Sequence, residues 1–250
     1  MTQRSILAGK NQTIIIKVGG SVTVKGHESD LVTAESKGNW GLTLERRSES
    51  QIGRARAAVG DHVLFDVRIK LPPLPSPLRP STLSGTRPSG REDEGEGKTP
   101  NEVIEVQLGG SGEVLVPFES NLKVYAGKDI DVQGINGQVD AYSGLKLNLK
   151  DVHLLGHASA GSSMGIDCQT MFGDKVEFKA GRDLRFHVRD LTSAHIRVKD
   201  LGGYWEARIG DGEKSVSLKC GGDVTLVTDQ EVKPLPPNFI LGKIERPSSS

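Results

Sequence analysis

One short phrase recurs along this chain of 250 residues: glycine, a spacer, aspartate, then alternating apolar and polar residues. It reads Gly127-Lys128-Asp129-Ile130-Asp131-Val132, then Gly181-Arg182-Asp183-Leu184-Arg185-Phe186, then Gly221-Gly222-Asp223-Val224-Thr225-Leu226. Looser versions stand at Gly60-Asp61-His62-Val63-Leu64-Phe65 and Gly173-Asp174-Lys175-Val176-Glu177-Phe178. A turn-plus-strand unit restated along a chain cannot bury its apolar side alone; the next copy has to cover it. The phrase therefore predicts an all-β chain, a β-solenoid resembling a parallel β-helix with short Gly/Asp turns. The glycines are assigned to turning the corner. The aspartates are assigned to pinning it, by accepting a backbone N–H two residues on. Gly127, Asp129, Gly181, Asp183, Gly221 and Asp223 are read in this way as structural turn residues.

Past residue 102, strand-like segments follow one another with little interruption. In Lys175-Val176-Glu177-Phe178-Lys179 and Ser215-Val216-Ser217-Leu218-Lys219 the inward and outward sets separate cleanly, as expected of strands with one buried face. Strands starting roughly 8 to 12 residues apart suit a sandwich as well as a solenoid. Recurrence at multiples of half a coil, short turns and an aromatic content of only 4% favour the solenoid. The one helix candidate is 48–59, and Gly53 weakens it.

Four segments are expected. Residues 13–70 form an N-terminal β segment that partly restates the main body. Residues 71–101 hold seven of the twelve prolines and read as a disordered Pro/Gly/charged linker or insertion loop. Residues 102–230 are the main body, and 231–250 a cap and frayed tail. The restatement is visible in Ile16-Lys17-Val18-Gly19-Gly20-Ser21 and Val106-Gln107-Leu108-Gly109-Gly110-Ser111, which are followed by Glu28-Ser29-Asp30-Leu31 and Glu119-Ser120-Asn121-Leu122.

Lysine plus arginine and aspartate plus glutamate balance at a formal net charge of zero. No global field draws the chain to nucleic acid or to an anionic membrane. No apolar run reaches the length of a spanning helix. Two cysteines, Cys168 and Cys220, are too few for a disulfide framework, and Cys220 alternates with Val216 and Leu218 as a buried apolar residue would. Met1 to Gln12 lacks the apolar stretch of a signal peptide, so a cytoplasmic location is expected, with export by another route left open.

Several apparent sites dissolve on inspection. Gly95-Glu96-Gly97-Lys98-Thr99 imitates the end of a phosphate-binding loop, but Glu92 stands where the pattern needs glycine and Pro100 follows. His153/His157 and His187/His195 have no cysteine or carboxylate set completing a zinc site. Asp61, Asp129, Asp174, Asp183, Asp211 and Asp223 are too sparse for the dense Gly/Asp repeat of calcium-binding rolls. Outward pairs such as Asp131 with Arg185, or Glu177 with Arg185 and Arg197, suit cross-strand ion pairs better than a catalytic acid and base. No catalytic residue, metal or cofactor is expected.

The phrases at 127–132, 181–186 and 221–226 resemble the coils of bacterial putative-adhesin β-solenoid proteins. They are similar, more distantly, to bactofilins, the polymer-forming cytoskeletal β-helices. The likeness covers roughly 102–228, with a fainter echo in 13–70. It departs from bactofilins in irregular coil length and in the proline-rich interruption. The repeats, the neutral charge and the lack of a catalytic motif point to a non-catalytic structural, adhesive or scaffolding module. The alternatives are a self-assembling bactofilin-like filament subunit and, third, a carbohydrate-active β-helix enzyme. Expected partners are proteins, or further copies joined through β faces or solenoid ends, with a polysaccharide surface as a further candidate and neither nucleic acid nor a membrane span.

Overall fold

Alternating apolar and polar residues make strands of nearly every segment in the computed structural model, which describes residues 2–9, 12–38, 40–48, 102–235, 243–245 and 247. The fold is all-β. No helix occurs among the described residues, and none of them forms one long and apolar enough to cross a membrane. The linker at 71–101, the looser phrase at 60–65 and, Ser48 apart, the helix candidate lie outside the described residues, as do Phe239, Ile240 and Leu241 of the expected cap.

The similar stretches around residues 16 and 106 pack directly on one another. β2 (Thr13–Val18) lies parallel to β6 (Glu102–Leu108), with Ile16 opposite Val106 and Val18 opposite Leu108. β3 (Val22–His27) lies parallel to β7 (Ser111–Pro117), with Val24 opposite Val114. On the other side of β2 and β3 come β8 (Asn121–Ala126) and the start of β9 (Ile130–Ser143), again parallel. The layer β2–β3 thus sits between β6–β7 and β8–β9, although it comes first in the chain.

From β8 onward, order in the chain and order in space agree for six strands, β8 to β13. The end of β9 lies on β8, and β10 (Leu147–Ala160) lies on β9 along both of its halves. β11 (Met164–Met171) and β12 (Lys175–Ala180) follow on β10, and β13 (Leu184–Val188) on β11. β16 (Lys214–Cys220) then lies on β12, and β17 (Val224–Val227) on β13. Two parallel tracks result. The first runs through β6, β2, β8, the ends of β9 and β10, then β12 and β16. The second runs through β7, β3, the starts of β9 and β10, then β11, β13 and β17.

Both tracks turn apolar side chains to a common core. Along the second track Val24, Val132, Leu149, Ile166, Phe186 and Leu226 lie in register and are buried. Phe178 of the first track meets Phe186 of the second with ring centroids 5.5 Å apart, tilted by 44°, so the tracks close on each other. Each such side chain contributes about 1.5–3 kcal/mol by leaving water.

The parallel order stops at both ends. At one end β4 (Leu31–Lys37) runs antiparallel to β7, β1 (Thr2–Leu7) antiparallel to β4, and β5 (Leu42–Ser48) antiparallel to β6. At the other, β14 (Ala194–Asp200) lies parallel to β16, after which β15 (Gly203–Ile209) runs antiparallel to β14, and β18 (Val232–Leu235), antiparallel to β15, returns to the direction of the tracks. Trp205 of β15 is buried there, and its indole N–H donates to Asp200 Oδ2 at 3.2 Å. β19 (Lys243–Glu245) continues the second track, parallel to β17. Within 231–250, then, two short stretches are strands of the sheet.

Candidate functional site

The recurring glycines stack in one column at the exit of the first track. Gly19, Gly127, Gly144, Gly161, Gly181 and Gly221 each stand over the carbonyl of a glycine in the adjoining layer, where a Cβ would collide with its oxygen. Their amides continue the ladder: Gly144 donates to Ala126 at 2.9 Å and Gly161 to Ser143 at 3.0 Å. None of the six has a positive φ. The requirement for glycine in this column is therefore close approach of backbones, not a left-handed turn. Gly144 and Gly161 were not singled out from the sequence because no Gly-x-Asp phrase marks them.

The aspartates of the phrase act between layers as well. Asp129 Oδ1 accepts from the Lys146 amide, 17 residues on, at 3.2 Å, and Asp129 Oδ2 accepts from Ser21 Oγ at 3.2 Å. Asp183 Oδ1 accepts from the Asp223 amide, 40 residues on, at 3.3 Å. The Asp223 carbonyl accepts in turn from the Leu184 amide at 2.9 Å. Each carboxylate thus bonds an amide of the neighbouring layer and ties two stacked corners together.

Outward ion pairs exist, with partners other than those expected. Asp131 accepts from Asn148 Nδ2 at 2.8 Å, and Arg185 Nη1 lies 2.5 Å from Glu245 Oε2. Glu177 pairs with Lys179 at 3.3 Å and with Lys219. Arg185 belongs to the second track and Glu177 to the first, so they stand on opposite outer faces. Asp131 and Arg185 share a face but lie three strands apart. Arg197 is 3.6 Å from Glu206, which also takes His195 at 2.7 Å and the Tyr204 hydroxyl. That hydroxyl bond, more than the opposing burial, holds the Glu206 carboxyl below its usual range.

Three polar groupings stand out. On β6, Glu105 is 2% exposed although it points away from the core. Lys17 Nζ donates to its Oε1 at 2.7 Å, Gln107 Nε2 donates to the same oxygen at 2.9 Å, and Arg47 Nη1 lies 3.0 Å from Oε2. Burial raises this carboxyl's pKa, but the hydrogen bonds and the charges of Lys17 and Arg47 outweigh it and leave it lowered. On the second track, Arg189 bridges Asp151 at 2.7 Å and Asp167 at 3.0 Å, and these bonds keep the guanidinium above its ordinary value. His187 Nδ1 is 3.3 Å from Asp167. Asp151, with φ of 52°, is the one non-glycine residue in the left-handed region among those described.

The third grouping is a row on the outer face of the first track. Registers place Gln107, Lys17, Tyr125, Tyr142, Ser159, Lys179, Lys219, Lys199 and Tyr204 on successive strands. Tyr125 and Tyr142 stack with centroids 5.2 Å apart and planes within 7°. The sequence carries a signal for this row, a tyrosine recurring at the same 17-residue step as the corner contacts, but it lies inside strands, where no turn draws attention to it. Among the described residues no group of three or more His, Cys, Asp or Glu is placed to hold a metal ion.

No family model matches the chain, and no curated protein matches it. Its structure is similar to the crystal structure of a putative cell adhesion protein from Clostridium sporogenes, over 98% of this chain and 99% of that chain, at 9% identity and a TM-score of 0.37. A likeness at that level carries no argument.

Proposed function

We propose that the chain is a β-solenoid serving a non-catalytic role, as a structural, adhesive or scaffolding module that presents an outer sheet face to its partner. The observation that carries this reading is the in-register stacking of both tracks. The inward positions are spent on a continuous apolar core and the corner on backbone contact, so the outward positions form straight rows of side chains on a rigid support. Rows on a rigid sheet keep their spacing, and a fixed spacing is what an extended partner needs for recognition.

The ends support a discrete particle over a filament subunit. Stacking copies end to end would continue the parallel tracks, whereas β5, which closes one end of the first track, and β15, which precedes β18 at the other, run against them. β18 carries Pro234, which has no N–H to offer a further strand. Filaments in electron micrographs of the concentrated protein would overturn this part.

The test of the reading is a panel of immobilised polysaccharides and proteins washed over with the full chain, followed by sizing of each polymer by light scattering. Saturable retention on at least one surface, with polymer length unchanged, is expected. Retention on none, or shortening of a polymer, overturns it.

A further inference from the structure

The outer row of the first track has a gap with a wall on each side. One face of the Tyr142 ring rests on Tyr125, and Tyr142 remains 37% exposed. The next position, Ser159, carries too short a side chain to cover the other face. The position after it is Lys179, two strands from Tyr142, hence about 10 Å away along the row. An exposed aromatic face beside an opening of that size suits a flat, partly apolar ring, and a pyranose has such a face.

Beyond the gap the row turns cationic. Lys179, Lys219 and Lys199 occupy neighbouring strands about 4.8 Å apart. The first two share Glu177 as partner, with lysine side chains 60% and 48% exposed. No carboxylate pairs with Lys199 among the described residues. The spacing of strands is close to the length of one sugar residue in an extended chain. A carboxylate on successive sugars would therefore meet a lysine at each step.

One feature speaks for a polysaccharide over a polynucleotide. A single nucleic-acid strand is held by successive aromatic side chains on which its bases stack, and past Tyr142 the row runs Ser159, Lys179, Lys219 and Lys199 with no aromatic before Tyr204.

Resting on the adhesive reading above, we infer that this row binds an extended, carboxylate-bearing polysaccharide. One pyranose ring sits over Ser159 against Tyr142, and carboxylates reach Lys179, Lys219 and Lys199. The protein holds the polymer by stacking at one end of the row and by charge along the rest.

Affinity electrophoresis and biolayer interferometry of the full chain test this, with polygalacturonate, its fully methyl-esterified form and a single-stranded oligodeoxynucleotide as probes. Polygalacturonate is expected to bind best. Tyr142→Ala should weaken binding of both pectin forms by about two- to tenfold, the range an aromatic stacking contact supplies. Ser159→Phe should block the gap and abolish binding of both. Lys179→Ala combined with Lys199→Ala should weaken only the charged form and flatten its salt dependence. Circular dichroism confirms that each variant is folded, and because these side chains point outward, at least one of the three carries the test. Binding untouched by Tyr142→Ala and Ser159→Phe, or an oligonucleotide bound as tightly as polygalacturonate, overturns the inference. If the chain is retained on other surfaces but not on polygalacturonate, the inference falls and the adhesive reading stands. If it is retained on no surface, both fall.

Discussion

The carbonyl oxygen of Gly144 fills the space that a side chain on residue 161 would occupy. The contact is backbone against backbone, so no rotamer change relieves it, and a Cβ there forces two layers apart. Gly161→Ala should therefore destabilise the fold by about 1–3 kcal/mol, the usual cost of overpacking. Gly41→Ala is the control, since a Cβ on Gly41 meets nothing within 4 Å, and a change within about 0.5 kcal/mol is expected. Urea unfolding midpoints of the two variants decide it. Equal midpoints would mean that the column relaxes without cost.

What the sequence disclosed about the fold follows from which interactions are written locally. Alternation in 215–219 or 175–179 names the buried side of a strand, because a strand's two faces differ in every second residue. It does not name the direction of the neighbour. Val198 and Trp205 alternate as Phe178 and Leu218 do, yet the first pair faces across antiparallel strands and the second across parallel ones. The reversed ends were accordingly illegible. So was the position of β2 between β6 and β8, since both neighbours lie far along the chain and pairing leaves no local mark. The glycines of the phrase were visible, but a glycine needed for close approach looks the same as one needed for a left-handed turn. The Tyr125–Tyr142 stack was hidden for a similar reason: each tyrosine is an ordinary outward residue until the register is known.

The N-terminal strands grip the layer β6–β7 from both sides. β2 and β5 flank β6, while β3 and β4 flank β7. A protease site introduced near residue 75 and then cut should leave the two fragments associated. Breaking the chain there severs none of these ladders, and the shared core includes Ile14, Ile16, Val24 and Ala34. The nicked protein should elute from size exclusion at the position of the intact one and separate only in denaturant. Separation in native buffer would show that the ladders at residues 102–117 depend on the covalent connection.

Glu105 ties stability to acid pH. Its folded-state pKa lies below the ordinary carboxylate value, since the hydrogen bonds from Lys17 and Gln107 together with the charges of Lys17 and Arg47 outweigh burial. A carboxyl with a depressed folded pKa stabilises the fold above its unfolded pKa, about 4.3, and that contribution disappears as pH falls through the folded value. Below about pH 4.3 the wild type should therefore lose thermal stability more steeply than Glu105→Gln, which keeps the shape without the titration. At pH 7 the same variant should be the less stable of the two, because Lys17 and Arg47 lose their counter-charge. Parallel melting curves from pH 3 to pH 7 test both signs, and identical slopes for the two proteins would sink the argument.

The two cysteines should part company toward alkylating reagents. Cys168 is fully buried, and burial, with a smaller contribution from Asp167, pushes its thiol up to about 12. At pH 8 the thiolate, which is the reactive form, is then present in about one molecule in ten thousand. Cys220 is raised as well, chiefly by burial, but it is only partly buried, and its Sγ lies 3.3 Å from the Gly222 carbonyl. Iodoacetamide at pH 8 should add one label to the native protein, at Cys220, and a second at Cys168 only in denaturant. The elevated Cys168 value also has a stability consequence. A thiol whose folded pKa is raised leaves its contribution intact below the unfolded value of about 8.5, and the contribution is lost as pH climbs toward 12. Cys168→Val should remove that alkaline loss while keeping an apolar group among Ile135, Val152 and Val188, its register partners and their neighbour. Rapid labelling of Cys168 in native buffer, or an unchanged alkaline slope in the variant, would show that this part of the core opens far more readily than its burial indicates.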